Sequence, residues 1–167
     1  VLSLWHACFE WTGPPVAEMA ARVLEDVTRR ILADGEPLPG VHETMSALRD
    51  AGVRIAIASS SPPALIDAVV DKLALSNYLE LTHSGIHEPR GKPDPAVFRT
   101  TARRLGVDPA RCVMFEDAPS GVAAGLAAGM HVVAVPSVFE PDHPGIRAAD
   151  RVLASLLEFD PAWLRTR

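Results

Sequence analysis

Cysteine is scarce in this 167-residue chain: only Cys8 and Cys112 occur, far apart in sequence. So sparse a pair argues against a disulfide framework and points to a reducing, cytoplasmic setting. Long apolar runs are missing too. Nothing approaches the roughly 18 residues of a membrane helix, so no membrane partner is expected. There is no basic excess: the formal charge is −5. That argues against nucleic acid as a partner, while a locally cationic site could still take a phosphorylated small molecule. The opening "VLSLWHACFEW" has no basic flank and no cleavage site, so no signal peptide is read there. It begins with Val, which leaves room for residues ahead of it. No internal repeat or low-complexity segment occurs. No G-x-x-x-x-G-K-[ST] appears, and "GVAAGLAAG" is not a G-x-G-x-x-G turn, so nucleotide loops are unsupported. No G-x-S-x-G elbow surrounds the serines, which argues against serine nucleophile chemistry.

What is present is a regular alternation. Residues 14–33 read as an amphipathic helix, with Val16, Met19, Ala20, Val23, Leu24, Val27 and Ile31 at helical spacing. "EPLPG" at 36–40 is a linker. Beyond it, helix and short apolar strand alternate. "VHETMSALRDAG" is a helix, "VRIAIAS" a strand, and "SPPALIDAVVDKLAL" a helix with Ser61 as N-cap. "LELTHSG" is a strand, "DPAVFRTTARRLG" a helix capped by Asp94, and "CVMFED" a strand. "PSGVAAGLAAG" is a helix, and "HVVAVP" and "DRVLAS" are the last strands. This alternation predicts parallel βαβ units, hence an α/β fold with a three-layer, doubly wound parallel sheet. Residues 38–167 form that core; residues 1–37 form a helical segment outside it.

In open parallel sheets, ligands bind beyond the carboxyl ends of the strands. Three loops leave those ends with polar residues. Ser59 follows "IAIA" directly and, with Ser60, offers a hydroxyl and free backbone N–H groups suited to a phosphate; simple helix capping is the competing reading. Lys92 lies in "GKPDP", where Gly91 and Pro93 restrict the backbone, so that its ammonium could hold a phosphate and offset the nearby acids; an ordinary loop lysine is the competing reading, and the stronger one for this residue taken alone. Glu116 and Asp117 stand side by side where a buried strand ends. Two such carboxylates repel unless a cation lies between them, and Mg²⁺ takes one or two carboxylates plus phosphate oxygens; the competing reading is a solvated turn with Asp117 capping the next helix. His83 and His87 are four apart in a Gly/Pro loop rather than on a helix, which argues against zinc. Trp5 and Trp11 read as packing anchors.

A strand-end Ser59, a loop Lys92 before proline, and a strand-end Glu116-Asp117 before S-G-x-x-A-[AG] together resemble the haloacid dehalogenase superfamily of Mg²⁺-dependent phosphotransferases. "PLPGVHETMSALRDAGVRIAIASSSP" resembles the start of that family's core after a helical cap. Within it, the chain is most similar to the subgroup of β-phosphoglucomutase and the hexose and hexitol phosphate phosphatases. The resemblance implies a HAD-like (Rossmannoid) core over 38–167 with a partial helical cap over 1–37. It implies a phosphatase of sugar or sugar-alcohol phosphates that uses Mg²⁺. Asp117 and Glu116 would serve the metal, Lys92 the phosphoryl group, and Ser59 with the backbone at Ser60 the transferred phosphate. Cap residues near Trp11 would face the sugar. A sugar phosphomutase and a non-catalytic phosphate- or partner-binding module remain as alternatives; oligomeric state is left open.

One part of the pattern is missing. The resemblance implies a nucleophilic aspartate and an acid–base aspartate in a D-x-D motif at the end of a central first strand. No apolar strand of this chain ends in D-x-D. The expectation is an N-terminally truncated form, inactive or weakly active, whose sheet lacks its central strand. Ala118 also stands where the family commonly has a small hydroxyl residue.

Overall fold

The computed structural model describes residues 7, 8 and 12–166. Trp5 and Trp11, with the sugar-facing role expected near Trp11, lie outside the described residues. Helix α1 (Val16–Asp34) forms where the helical spacing predicts it, yet none of its residues is buried. Val23, Val27 and Leu32 stay exposed. Its polar face carries pairs at helical spacing: Glu18–Arg22 at 2.6 Å, Asp26–Arg30 at 2.8 Å, and Asp26–Arg29. Pairs this exposed contribute little to stability. Lys72 ties the end of α1 to the core by donating to the Leu32 and Ala33 carbonyls.

The alternation of helix and strand begins with α2 (Val41–Asp50). Gly40 precedes it at φ +91°. A Cβ there would lie 2.5 Å from the Leu157 nitrogen, so both conformation and space demand glycine. Then follow β1 (Ile55–Ser59), α3 (Pro63–Lys72), β2 (Leu79–Ser84), α4 (Ala96–Leu105), β3 (Val113–Glu116), α5 (Pro119–Ala128), β4 (His131–Ala134), α6 (Pro144–Arg147) and β5 (Arg151–Val152).

All strand pairings are parallel, as the alternation predicts. The sheet is divided. Among the described residues, β1 pairs only with β2, bringing Ser59 level with Ser84; β3, β4 and β5 form a second sheet, with Glu116 level with Ala134. Between β1 and β3 lies a slot of about 600 Å³, lined by Ile55–Ala58 on one side and Val113–Glu116 on the other. A five-residue strand about 17 Å long, 4.8 Å wide and 10 Å deep fills on the order of 800 Å³, so the slot is of one strand's size. Burial follows the division. Val132, Val133 and Ala134 of β4 are 0% exposed, whereas every residue of β1 is only half-buried. The apolar side chains fall into separate clusters: one around Phe98, Met114, Val122 and Ile146, one around Leu48, Val133 and Phe159, and one around Ile66, Val70 and Leu75.

Three local expectations need correction. Ser61 does not cap α3; Pro62 holds the cap position and Pro63 the first turn, without a side-chain cap. Pro62 and Pro63 bring no amide N–H to the helix start, which leaves a capping hydroxyl less to bind. The last strand shrinks from "DRVLAS" to Arg151–Val152. Asp150 spends its carboxylate on the Val132 amide at 2.7 Å, and the Ser155 hydroxyl accepts from Leu157 to start a 3₁₀ turn. Asp94 does not hold the cap position of α4 either: Pro95 holds it, without a side-chain cap, and Asp94 accepts the Ala96 amide at 3.0 Å from one residue further ahead.

Candidate active site

Glu116 is the last residue of β3, and the strand delivers its carboxylate inward. The Lys92 ammonium meets it at 2.7 Å, with side chains only 17% and 11% exposed. Lys92 also lies over the Phe98 ring, 4.8 Å from its centroid. It is thus held between a carboxylate and the negative face of an aromatic ring. Lys92 reaches this point because Asp94 fixes the start of α4 and the Asp94 amide turns back onto the Gly91 carbonyl.

The first turn of α5 passes directly over Glu116. A Cβ at Gly121 would lie 2.0 Å from the Glu116 Cδ, so only glycine lets the helix close over this carboxylate. Asp117, the next residue, is exposed. It does not cap α5: Ala118 holds that position in extended conformation, with no side-chain cap. The competing reading of Asp117 as a helix cap therefore has no bond to rest on. Burial pushes the Glu116 carboxyl above its ordinary value; Lys92 opposes this, and the hydrogen-bonded Asp117 adds to it. An acid pair with more negative charge than one lysine settles is chemically suited to a divalent cation. Among the described residues, no group of three or more His, Cys, Asp or Glu side chains is gathered to hold a metal. Mg²⁺ does not demand one, since it keeps waters and takes phosphate oxygens.

Ser59 ends β1 on the other side of the slot. It follows Ala58, which lines the same slot as Glu116. The Ser59 hydroxyl accepts the Ser61 amide at 3.1 Å, and Ser84 donates to the Ser61 carbonyl at 2.6 Å. These bonds bend the chain after β1, and Ser60 projects to solvent. The structure thus joins Lys92, Glu116 and Asp117 directly and places Ser59 and Ser60 at the end of the facing strand. His83 is engaged by Glu88 and Arg104 instead of forming a pair with His87.

Sequence reasoning missed Phe98, Gly121 and Ser84. Gly121 lies in the S-G-x-x-A-[AG] run, so its position was visible, but its closeness to Glu116 emerges only in three dimensions. Phe98 gave no signal beyond apolar spacing on α4.

No helix among the described residues is long and apolar enough to cross a membrane. The chain matches the family model described as haloacid dehalogenase-like hydrolase over residues 5–129. It is 33% identical over 158 residues to hexitol phosphatase B of Escherichia coli K12, covering 95% of this chain and 71% of that protein. Among solved structures, it superposes on CbbY from Rhodobacter sphaeroides in complex with phosphate, with a TM-score of 0.82 at 25% identity, covering 92% of this chain and 70% of that one. A Thermotoga maritima protein assigned as a β-phosphoglucomutase superposes with a TM-score of 0.73 at 27% identity, over 84% of this chain and 66% of that one. With its parallel α/β architecture and a match over three quarters of its length, the chain belongs to the haloacid dehalogenase-like hydrolases.

Proposed function

We propose that this chain carries the core of a Mg²⁺-dependent phosphatase for sugar or sugar-alcohol phosphates, with residues 1–37 as part of a cap and 38–167 as the core. The observation that carries the reading is the buried Lys92–Glu116 pair at 2.7 Å beside Asp117 at the end of β3. When bound, Mg²⁺ would neutralise the acid pair and the phosphoryl oxygens together. Asp117, the exposed member, would ligate it, and Glu116 would ligate it or hold its waters. Lys92 would bind the phosphoryl group and balance the carboxylates. Ser59 would donate its hydroxyl to the transferred phosphoryl, helped by the Ser60 amide. Among the described residues, no strand ends in the D-x-D motif that would carry the attacking carboxylate of an aspartyl-phosphate mechanism. We place it on a further strand in the slot between β1 and β3, so the 167 residues alone would bind substrate but turn over little. Two unpaired cysteines suit a reducing compartment such as the cytoplasm.

The likeness to a protein assigned as a β-phosphoglucomutase favours a second reading, a sugar phosphomutase. A binding module without catalysis is the third. Calorimetric titration of the chain with Mg²⁺ and a hexitol phosphate tests the site common to all three. The expected result is saturable Mg²⁺ binding that the sugar phosphate strengthens and that Asp117→Asn weakens at least about tenfold, the loss of one charged ligand. Equal binding by parent and variant would contradict the assignment. Product analysis of the strand-completed protein separates the readings: free phosphate for the phosphatase, an isomer for the mutase, neither for the module.

A further inference from the structure

Four residues before Lys92, a second carboxylate is folded inward from an otherwise exposed loop. Ile86, His87, Pro89 and Arg90 all face solvent, but the Glu88 and His83 side chains are only 14% exposed each. Glu88 Oε1 lies 2.9 Å from His83 Nε2. On the other side of the ring, Arg104 Nη1 lies 3.0 Å from His83 Nδ1 and 3.3 Å from the Thr82 carbonyl. A guanidinium only donates, so Nδ1 accepts; the ring proton then sits on Nε2 and is donated to Glu88. The hydrogen bond from His83, then one from Thr100, holds the Glu88 carboxyl below its ordinary range, with Arg103 adding attraction. Thr100 and Arg104 are four apart on α4, one turn from each other. The result is a ring of contacts, Arg104–His83–Glu88–Thr100, closing the start of the 85–95 loop onto both β2 and α4.

We propose that Glu88, acting through His83 and Thr100, is a positioning residue for Lys92. The proposal rests on the reading of Lys92 given above. Lys92 must hold its ammonium within 2.7 Å of Glu116 from a loop whose middle is exposed. One anchor of that loop lies after Lys92, where the Asp94 amide meets the Gly91 carbonyl and its carboxylate meets the Ala96 amide. Before it, the Glu88 amide turns back onto the Gly85 carbonyl and the Ile86 amide donates to the Ser84 hydroxyl, both at the very start of the loop. Beyond these turns, the Glu88 carboxylate is the side chain that ties the loop ahead of Lys92 to both β2 and α4, through His83 and Thr100.

The chain has only two lysines, Lys72 and Lys92. Trace acetylation with a succinimidyl ester, read by mass spectrometry on the full 167-residue chain, therefore reports Lys92 against Lys72 as internal standard. Glu88→Ala is expected to raise the Lys92 to Lys72 labelling ratio about fivefold, the shift given by one lost hydrogen bond of about 1 kcal/mol. Glu88→Gln, whose amide oxygen still accepts from Nε2, is expected to restore the parent ratio. Arg104→Met is expected to let His83 exchange tautomers, seen as loss of the single Nε2–H form in ¹⁵N spectra. An unchanged ratio in Glu88→Ala, or a rise in Glu88→Gln equal to that in the alanine variant, would overturn the proposal. If Glu88→Ala melts below the assay temperature, Thr100→Val gives the same readout with one bond removed, and an unchanged ratio there overturns it as well. Labelling needs no metal, phosphate or turnover, so a chain that fails to bind Mg²⁺ yet shows these ratios rejects the phosphatase reading and keeps the clamp.

Discussion

Glu116 illustrates how one residue's surroundings set its chemistry. Its carboxylate is buried, roofed by Gly121, held by Lys92 and crowded by Asp117. The Glu116 carboxyl titrates above its ordinary 4.5 in the fold, so the ionised form opposes folding. The stability tied to this group is fully present below pH 4.5 and falls as pH rises through the raised value. Lys92→Met removes the counter-charge and should enlarge that dependence. In metal-free buffer at pH 8, urea unfolding should show the variant about 3–5 kcal/mol less stable than the parent, the cost of stranding a buried charge. The deficit should shrink as pH is lowered towards 4.5 and Glu116 takes up a proton. A deficit that stayed constant over that range would mean that Lys92 packs but does not compensate Glu116. The meeting of Lys92 with the Glu116–Asp117 pair was legible in sequence because each stands at a strand end or in a rigid loop. The roof over Glu116 was not, because the contact of Gly121 depends on how α5 docks. The clamp at Glu88 escaped notice for a similar reason: His83 and Glu88 look like loop residues until α4 brings Thr100 and Arg104 beside them.

At the scale of elements, β1 and β4 read alike in sequence, as short apolar runs between turn residues. The fold separates them. β4 lies between β3 and β5 and is closed on both faces, whereas β1 has β2 on one side and the slot on the other. Helix ends were legible because glycine marks them: Gly106 and Gly129 follow α4 and α5 with φ +67° and +84°. The α1 stripe was legible as well, but its burial was not, since periodicity says which face is apolar and not what covers it. β5 fell short because Asp150 and Ser155 turned their side chains on the backbone, a local competition that apolar pattern does not report. Hydrogen exchange tests the distinction between the strands. Amides of His131–Ala134 should be the slowest in the sheets, and those of β1 and β3 that face the slot at least about tenfold faster, a factor that 1.4 kcal/mol of local stability supplies. Equal protection of β1 and β4 would mean that the slot is closed in solution.

For the molecule as a whole, the divided sheet and the separate apolar clusters belong together. A parallel sheet covered on both faces normally carries its most apolar strand at the centre. Here, among the described residues, a slot separates β1 from β3, neither is paired with a strand on that side, and such edges favour a further strand. Cys112 lines that slot, and burial already pushes its thiol above the ordinary value. A strand seated there would stand between Ser59 and Glu116, so its last residues would enter the region flanked by Lys92 and Asp117. The most direct measurement is phosphate release from a hexitol phosphate by the 167-residue chain, with Mg²⁺ and a synthetic apolar strand peptide ending in D-x-D. The account predicts release that needs chain, metal and peptide together, disappears when the first aspartate of the peptide is asparagine, and rises in step with protection of Cys112 from alkylation. Equal release by the chain alone, or protection of Cys112 with no release of phosphate or isomer, would contradict it.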